Sequence, residues 1–227
     1  MTAKDLAARL PDIRTLRAWW QTLAVLDAIM SPEWDYRYFS FDTRWGDGQE
    51  MASMRNGSGD DCSVTFTPAG AYLRCFDHES ALSPWTNNPP ALLQGLLDDV
   101  PEALRDAVLD PAWQLAGVPS VTFSLWRLAG DDRWHHANAR TAPAGADDGS
   151  DELLEVVDGR PGSYVAFATD YYEPERPLDL AAVERIFAHE QMTSDLARRI
   201  NPVADWTALT ADLDVIGYPA QPAGPGP

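Results

Sequence analysis

The amino-acid sequence predicts an α+β fold, a mainly antiparallel twisted sheet packed by N-terminal, central and C-terminal helices. Two long apolar stripes at helical spacing lie towards opposite ends of the chain. Between them run short segments of alternating apolar and polar residues, bounded by Gly, Asn and Pro turns. With 227 residues, 45% hydrophobic and 10% aromatic, the chain holds enough apolar surface to offset the entropy of ordering its backbone. No internal period and no break in composition divides it, so a single domain is expected over residues 1–218, followed by a mobile Pro/Gly-rich tail over 219–227.

The first helix is predicted from about Asp12 to Met30, where Leu16, Trp20, Leu23, Leu26 and Met30 share a face and Ser31-Pro32 stops the chain. Trp34, Tyr36 and Tyr38 then alternate with Asp35 and Arg37 as in a strand, and the apolar phase shift at Phe39 and Phe41 predicts a bulge. A strand over Gln49 to Arg55 leads to the Asn56-Gly57-Ser58-Gly59 turn. Cys62, Val64 and Phe66 share a face of the next strand, which returns through Ala71 to Phe76 after Thr67-Pro68-Ala69-Gly70. A two-residue loop there would pair residue 62 with 75. The three-residue loop favoured by Pro68 and Gly70 pairs 62 with 76, sets the thiols on opposite faces, and predicts two buried free cysteines rather than a disulfide.

Leu92, Leu93, Leu96 and Leu97 form a central helical stripe, and Pro101 begins a second turn or helix. Strand character returns over Val121 to Leu128 and, after Gly130-Asp131-Asp132, near Trp134 and His136. Residues 142–150 read as a loop, and Leu153 to Val157 as a short helix or strand. Tyr164 to Tyr172 reads as a strand, and Leu180 to Ile200 as one long helix capped by Asp179.

Charge narrows the function classes. The balance of 17 Lys+Arg against 35 Asp+Glu gives a net charge of −18, which opposes direct binding to nucleic acid or an anionic membrane and steers a basic protein inward. No apolar run is long enough to span a bilayer and the N-terminus lacks the pattern of a secretory signal, so a cytoplasmic location is expected. Two cysteines are too few for a disulfide framework or a four-cysteine zinc site. Asn56 to Asp61 lacks the lysine of a phosphate loop and the spacing of an EF-hand, and no cofactor is called for.

The densest run of chemically capable side chains is Arg74-Cys75-Phe76-Asp77-His78-Glu79-Ser80. If the chain turns there, Asp77 could orient His78 by accepting its ring hydrogen while Glu79 serves as a second carboxylate, which is the outline of a general-base or metal-assisted hydrolase. Ordinary turn hydrogen bonding competes with that reading. His135 and His136 point apart if extended and do not make a metal site alone. Nine tryptophans fit either core packing or an aromatic surface beside acidic loops, the latter with Trp45, Trp85 and Trp134 as partner anchors and Asp60, Asp61, Asp77 and Glu79 as a rim.

The segments Tyr36 to Phe41, Met51 to Asp60, Phe76 to Trp85, Phe123 to Arg127 and Tyr171 to Glu173 together resemble a poorly characterised family of bacterial α+β proteins. Size and acidity are similar to those of immunity proteins that neutralise toxins. The resemblance implies a non-catalytic binding protein with a basic protein or toxin as partner. A hydrolase using His78, Asp77 and Glu79, with or without a metal, is the alternative, and a purely structural role for the polar run is the third.

Overall fold

The computed structural model describes residues 2–140, 142 and 145–222. Helix α1 (Ala3–Arg9) opens the chain and α2 (Ile13–Met30) follows, capped by the Asp12 carboxylate on the Thr15 amide at 2.9 Å. Strands β1 (Phe39–Gly46), β2 (Gln49–Arg55), β3 (Asp61–Thr67) and β4 (Gly70–Phe76) form a meander. A long connection carries the short helix α3 (Arg105–Val108) and a small hairpin of β5 (Gln114–Leu115) and β6 (Val118–Pro119). It returns to the sheet as β7 (Phe123–Leu128) and β8 (His135–His136). Helices α4 (Pro161–Tyr172), α5 (Leu180–Phe187), α6 (Ser194–Ile200) and α7 (Trp206–Ile216) complete the described chain. The fold is α+β, with one antiparallel sheet in the order β1-β2-β3-β4-β7-β8.

Strand alternation divides the sheet chemically. Phe39 and Phe41, Ala52 and Met54, Cys62 and Val64, Leu73 and Cys75, and Phe123 and Leu125 face the helices and join the main core with Leu16, Trp20, Leu23 and Leu26 of α2. Helices α2 and α7 lie on the sheet, and α5 and α6 pack behind α2. The opposite face carries Ser63, Tyr72, Arg74, Ser124 and Trp126; the connection covers it with Val100, Leu104, Ala107 and Val108. Buried Arg74 donates to Ser63 Oγ at 3.1 Å and Ser120 O at 2.6 Å, pairs with Asp61, and stacks 4.5 Å from the Trp113 ring. That face therefore tolerates a buried cation because every side of it meets an acceptor or a π-face.

Several expected elements take another form. Residues Trp34–Tyr36 make a short 3-10 turn rather than a strand, so the strand begins at Phe39 and needs no bulge there; the register irregularity lies between Asp42 and Gly46. Tyr164 to Tyr172 is helical: burial recurs at Tyr164 and Ala168, four residues apart, and Pro161 stands at the helix start. The predicted helix over 180–200 divides into α5 and α6 because His189 adopts a left-handed φ of 54° and Thr193 caps a new start through the Leu196 amide. Leu92 and Leu93 are irregular and Gln94 to Leu97 are turns rather than a helix, and most of Leu153 to Val157 is also turns. Helices α1 and α7 were not anticipated. In the terminal segment, Met192 donates its amide to Pro219 O at 2.8 Å and accepts from the Gln221 amide at 2.9 Å, while residues 223–227 lie outside the described ones.

The cysteine expectation is overturned. Thr67 pairs with Gly70, so only Pro68 and Ala69 form the loop; Cys62 then stands directly opposite Cys75 and the two are joined in a disulfide on the helix-facing side. The tight turn depends on Gly70, whose φ is 151° and whose missing side chain would meet Arg127 O at 2.3 Å. Both cysteines are fully buried. A bonded pair is the state that oxidising surroundings sustain, so the cysteine content gives no support to a reducing compartment. Among the described residues no helix is long and apolar enough to cross a membrane.

The disulfide predicts that protein purified without reductant and unfolded in guanidinium shows no reactive thiol, and that its mass rises by about two hydrogens on reduction. Two reactive thiols in the denatured, unreduced chain would contradict the assignment.

Candidate functional site

The two-residue hairpin also decides which polar groups meet. Because Asp61 is opposite Phe76, the residues just beyond them, Asp60 and the Asp77–Ser80 loop, emerge side by side at one end of the sheet. Asn56 shapes the incoming turn: its Oδ1 accepts from the Ser58 amide at 2.8 Å and the Asp60 amide at 3.1 Å, and its Nδ2 donates to Asp60 at 2.6 Å. Asp60 Oδ1 then accepts from the His78 amide at 2.8 Å and lies 2.6 Å from His78 Nδ1.

Asp60, rather than Asp77, thus orients the imidazole. Asp77 closes the loop by accepting the Glu79 amide at 2.9 Å and the Ser80 amide at 3.2 Å. Its side chain rests on Gly149, where an added Cβ would lie 2.7 Å from the Asp77 Cβ and 2.9 Å from Oδ2. Ser80 Oγ donates to Asp147 O at 2.6 Å, and Thr122 Oγ1 accepts the Asp77 amide and donates to Asp148 O at 2.9 Å. Glu79 is exposed and reaches His78 Nε2 only at 3.9 Å.

The hydrogen bond to Asp60 raises the His78 ring above the ordinary histidine value, with smaller help from the charges of Glu79 and Asp77. Burial alone would raise Asp60, but hydrogen bonds from the His78 amide and ring and from Asn56 hold its carboxyl below the usual range. Among the described residues, Asp60, Asp77 and His78 are the group whose possible metal-ligating atoms all lie within 4.8 Å of one another. That set can present two carboxylates and an imidazole to a cation, but His78 Nδ1 and both Asp60 oxygens already serve internal bonds. Ser80, the hydroxyl closest in sequence, is buried and committed to Asp147.

The other sequence-derived candidates lie apart from this loop. Asp61 pairs with Arg74 on the covered face; burial raises its carboxyl while Arg74 opposes that rise. Trp134 is buried and donates to Pro11 O at 2.6 Å, so it is no surface anchor. Trp45 is half-buried, donates to Asp110 at 2.9 Å and stacks on Trp113 at 5.9 Å; Trp85 is half-buried on the Pro84–Thr86 turn. His135 is 3.3 Å from Asp131 and stacks on Trp126, while His136 Nδ1 contacts Ala137 O at 3.1 Å. Neither joins His78.

The aromatic side chains that are exposed are different ones. On the turn before β1, Trp34 is 51% and Tyr36 65% exposed, and the Arg55 guanidinium lies 3.8 Å over the Trp34 ring. Tyr171, 41% exposed, stands 5.3 Å from Tyr38 and so continues the surface from α4. Exposed Glu33 and Asp35 flank Trp34 in the chain, and Asp60 is near enough to Tyr38 to raise its hydroxyl pKa, an effect secondary to burial. The alternating spelling of residues 34–38 concealed this turn; Pro32 two residues earlier was the signal that a strand was not yet under way. Comparison with family models, curated proteins and solved structures finds no match.

A mutual dyad has a definite pH signature. Stability from the raised His78 value is present below the ordinary histidine pKa and lost as pH rises through the folded value; stability from the lowered Asp60 value is present above the ordinary carboxylate pKa and lost as pH falls through the folded one. The pair is therefore most favourable between the ordinary carboxylate and histidine values. Asp60→Asn should bring the His78 titration, followed by NMR of its ring, down towards about 6.5. An unchanged His78 midpoint would remove Asp60 as the orienting group.

Proposed function

We propose that the chain is a non-catalytic protein-binding module that docks a basic partner on the surface formed by Trp34, Tyr36 and Tyr171. The observation that carries this reading is the exposure of two large aromatics, Trp34 and Tyr36, on one short turn, with Arg55 holding the Trp34 ring. Aromatic rings that are pre-positioned lose little entropy on binding and bury much area, the usual properties of an interface anchor. Glu33, Asp35, Asp60 and Glu79 supply negative charge at this end of the sheet, and the net charge of −18 attracts a basic protein from a distance. Neutralising a basic toxin, as the immunity-like resemblance implies, is one function such a surface serves.

The Asp60–His78 pair supports a second reading, metal-assisted hydrolysis, in which His78 Nε2 would act as base or, with Asp60 and Asp77, as a ligand. It ranks below binding because the loop's hydrogen bonds already account for Asp60 and Asp77.

A photo-cross-linking residue in place of Tyr36 should yield a discrete adduct with one basic protein in cells of the source organism. Binding of that protein, once purified, should weaken by about thirtyfold on Trp34→Ala, corresponding to an anchor of roughly 2 kcal/mol, and also weaken at raised salt and on Asp35→Lys. Affinity unchanged by Trp34→Ala, or equal affinity for an acidic protein of similar size, would refute the proposal. His78→Ala should leave this binding within about threefold of wild type, whereas the hydrolytic reading requires loss of function from that variant.

A further inference from the structure

The opposite end of the sheet holds a different surface. Glu50, Phe66, Ala71 and Arg127 form one cross-strand row on the helix-facing side, next to the β1–β2 and β3–β4 turns. Helix α2 begins at Ile13, and its first turns roof this row only in part. A cavity of about 690 Å³ remains between them, within the range that holds a small organic molecule. Its lining is mixed: Ile13, Phe66 and Pro68 are apolar, while Arg14, Arg17 and Arg127 bring three guanidiniums against the carboxylates of Asp12 and Glu50. In a chain with 35 acidic and 17 basic residues, a cavity with more cations than anions departs from the mean.

The two carboxylates are already engaged. Asp12 accepts the Thr15 amide and Oγ1, both at 2.9 Å, and Glu50 takes Arg17 through Nε and, at 2.6 Å, Nη2. Arg17 also donates to Gln21 at 2.8 Å and lies 5.3 Å from the Phe41 ring, so it forms a fixed wall rather than a free cation. Arg14 is exposed, and neither it nor Arg127 has a carboxylate within 4 Å among the described residues. The Arg127 charge still reaches Asp12, where it adds a little to the Thr15 bonds that hold that carboxyl below the usual range, and Arg127 directs Nε to Asp131 O at 3.2 Å. Two guanidiniums beside an apolar floor recognise an oxyanion attached to an apolar body.

We propose that this groove binds a small organic anion, its carboxylate or phosphate held by Arg14 and Arg127 and its apolar part lying on Ile13, Phe66 and Pro68. The site is separate from the aromatic surface and stands or falls independently of the protein-binding reading. Amide NMR of the full chain, titrated with benzoate, phenyl phosphate, neutral benzamide and cationic benzylamine, tests it. Benzoate or phenyl phosphate should produce saturable shifts at Ile13, Phe66 and Gly70, with affinity at least about tenfold above benzamide and no comparable response to benzylamine; the stronger of the two anions identifies the head group. Arg14→Ala and Arg127→Gln should each weaken that anion by about tenfold. Arg14 is exposed on a capped first turn, so its variant decides the matter if Arg127→Gln does not fold. Equal binding of benzamide or benzylamine, shifts that do not saturate, or an affinity indifferent to Arg14→Ala would overturn the proposal.

Discussion

Asp27 lies within α2 without solvent exposure, and its two carboxylate oxygens accept hydrogen bonds from the Phe39 amide at 2.7 Å and the Tyr164 hydroxyl at 2.8 Å. One side chain thereby ties the helix at the centre of the core to the first residue of β1 and to the start of α4. Burial pushes the carboxyl up to about 6, while the bonds from Phe39 and Tyr164 restrain the rise. Its folded value is above the ordinary one, so the stability linked to its protonation is greatest below that ordinary value and is lost as pH rises through about 6. Near neutrality the carboxylate persists in the core because fixed donors replace much of its hydration. Truncating it would strand two buried donors, a mechanism associated with losses of roughly 2–5 kcal/mol.

That junction bears directly on the proposed interface. With Phe39 fixed, the preceding 3-10 turn is held at the end of the sheet, where Arg37 donates to Ser31 O at 2.9 Å, Pro32 O at 3.0 Å and Asp212 at 2.7 Å. With Tyr164 fixed, α4 brings Phe167 to 4.7 Å from Tyr38 and stacks Tyr171 on Phe167 at 5.3 Å. Trp34, Tyr36 and Tyr171 are thus presented from rigid supports, which reduces the ordering cost of binding. The Arg14–Arg127 groove belongs to the other end of the same sheet and depends on where α2 starts.

Legibility in the sequence followed the range of the interactions. Helix α2 was readable because its stripe and its Ser31-Pro32 stop are local; the meander was readable from alternation between Gly-containing turns. Tyr164 to Tyr172 was misread because its β-branched and aromatic residues favour a strand, whereas packing around Asp27 selects the helical face of Tyr164 and Ala168. The choice between a two- and a three-residue loop at Pro68 carried the largest consequence. It determined both the cysteine pairing and the fact that Asp60, eighteen positions before His78, is its partner. His78 stood out in its own segment; Asp60 becomes its partner only through the register.

Asp27 joins α2, β1 and α4 into one cooperative unit. Native-state hydrogen exchange at the Phe39 amide tests this most directly, since that amide donates to Asp27 itself. The structure predicts exchange only through global unfolding, with the same opening free energy as the most protected amides of α2. Exchange at Phe39 through a low-energy local opening, while α2 stays protected, would show that the junction does not hold the sheet end in place.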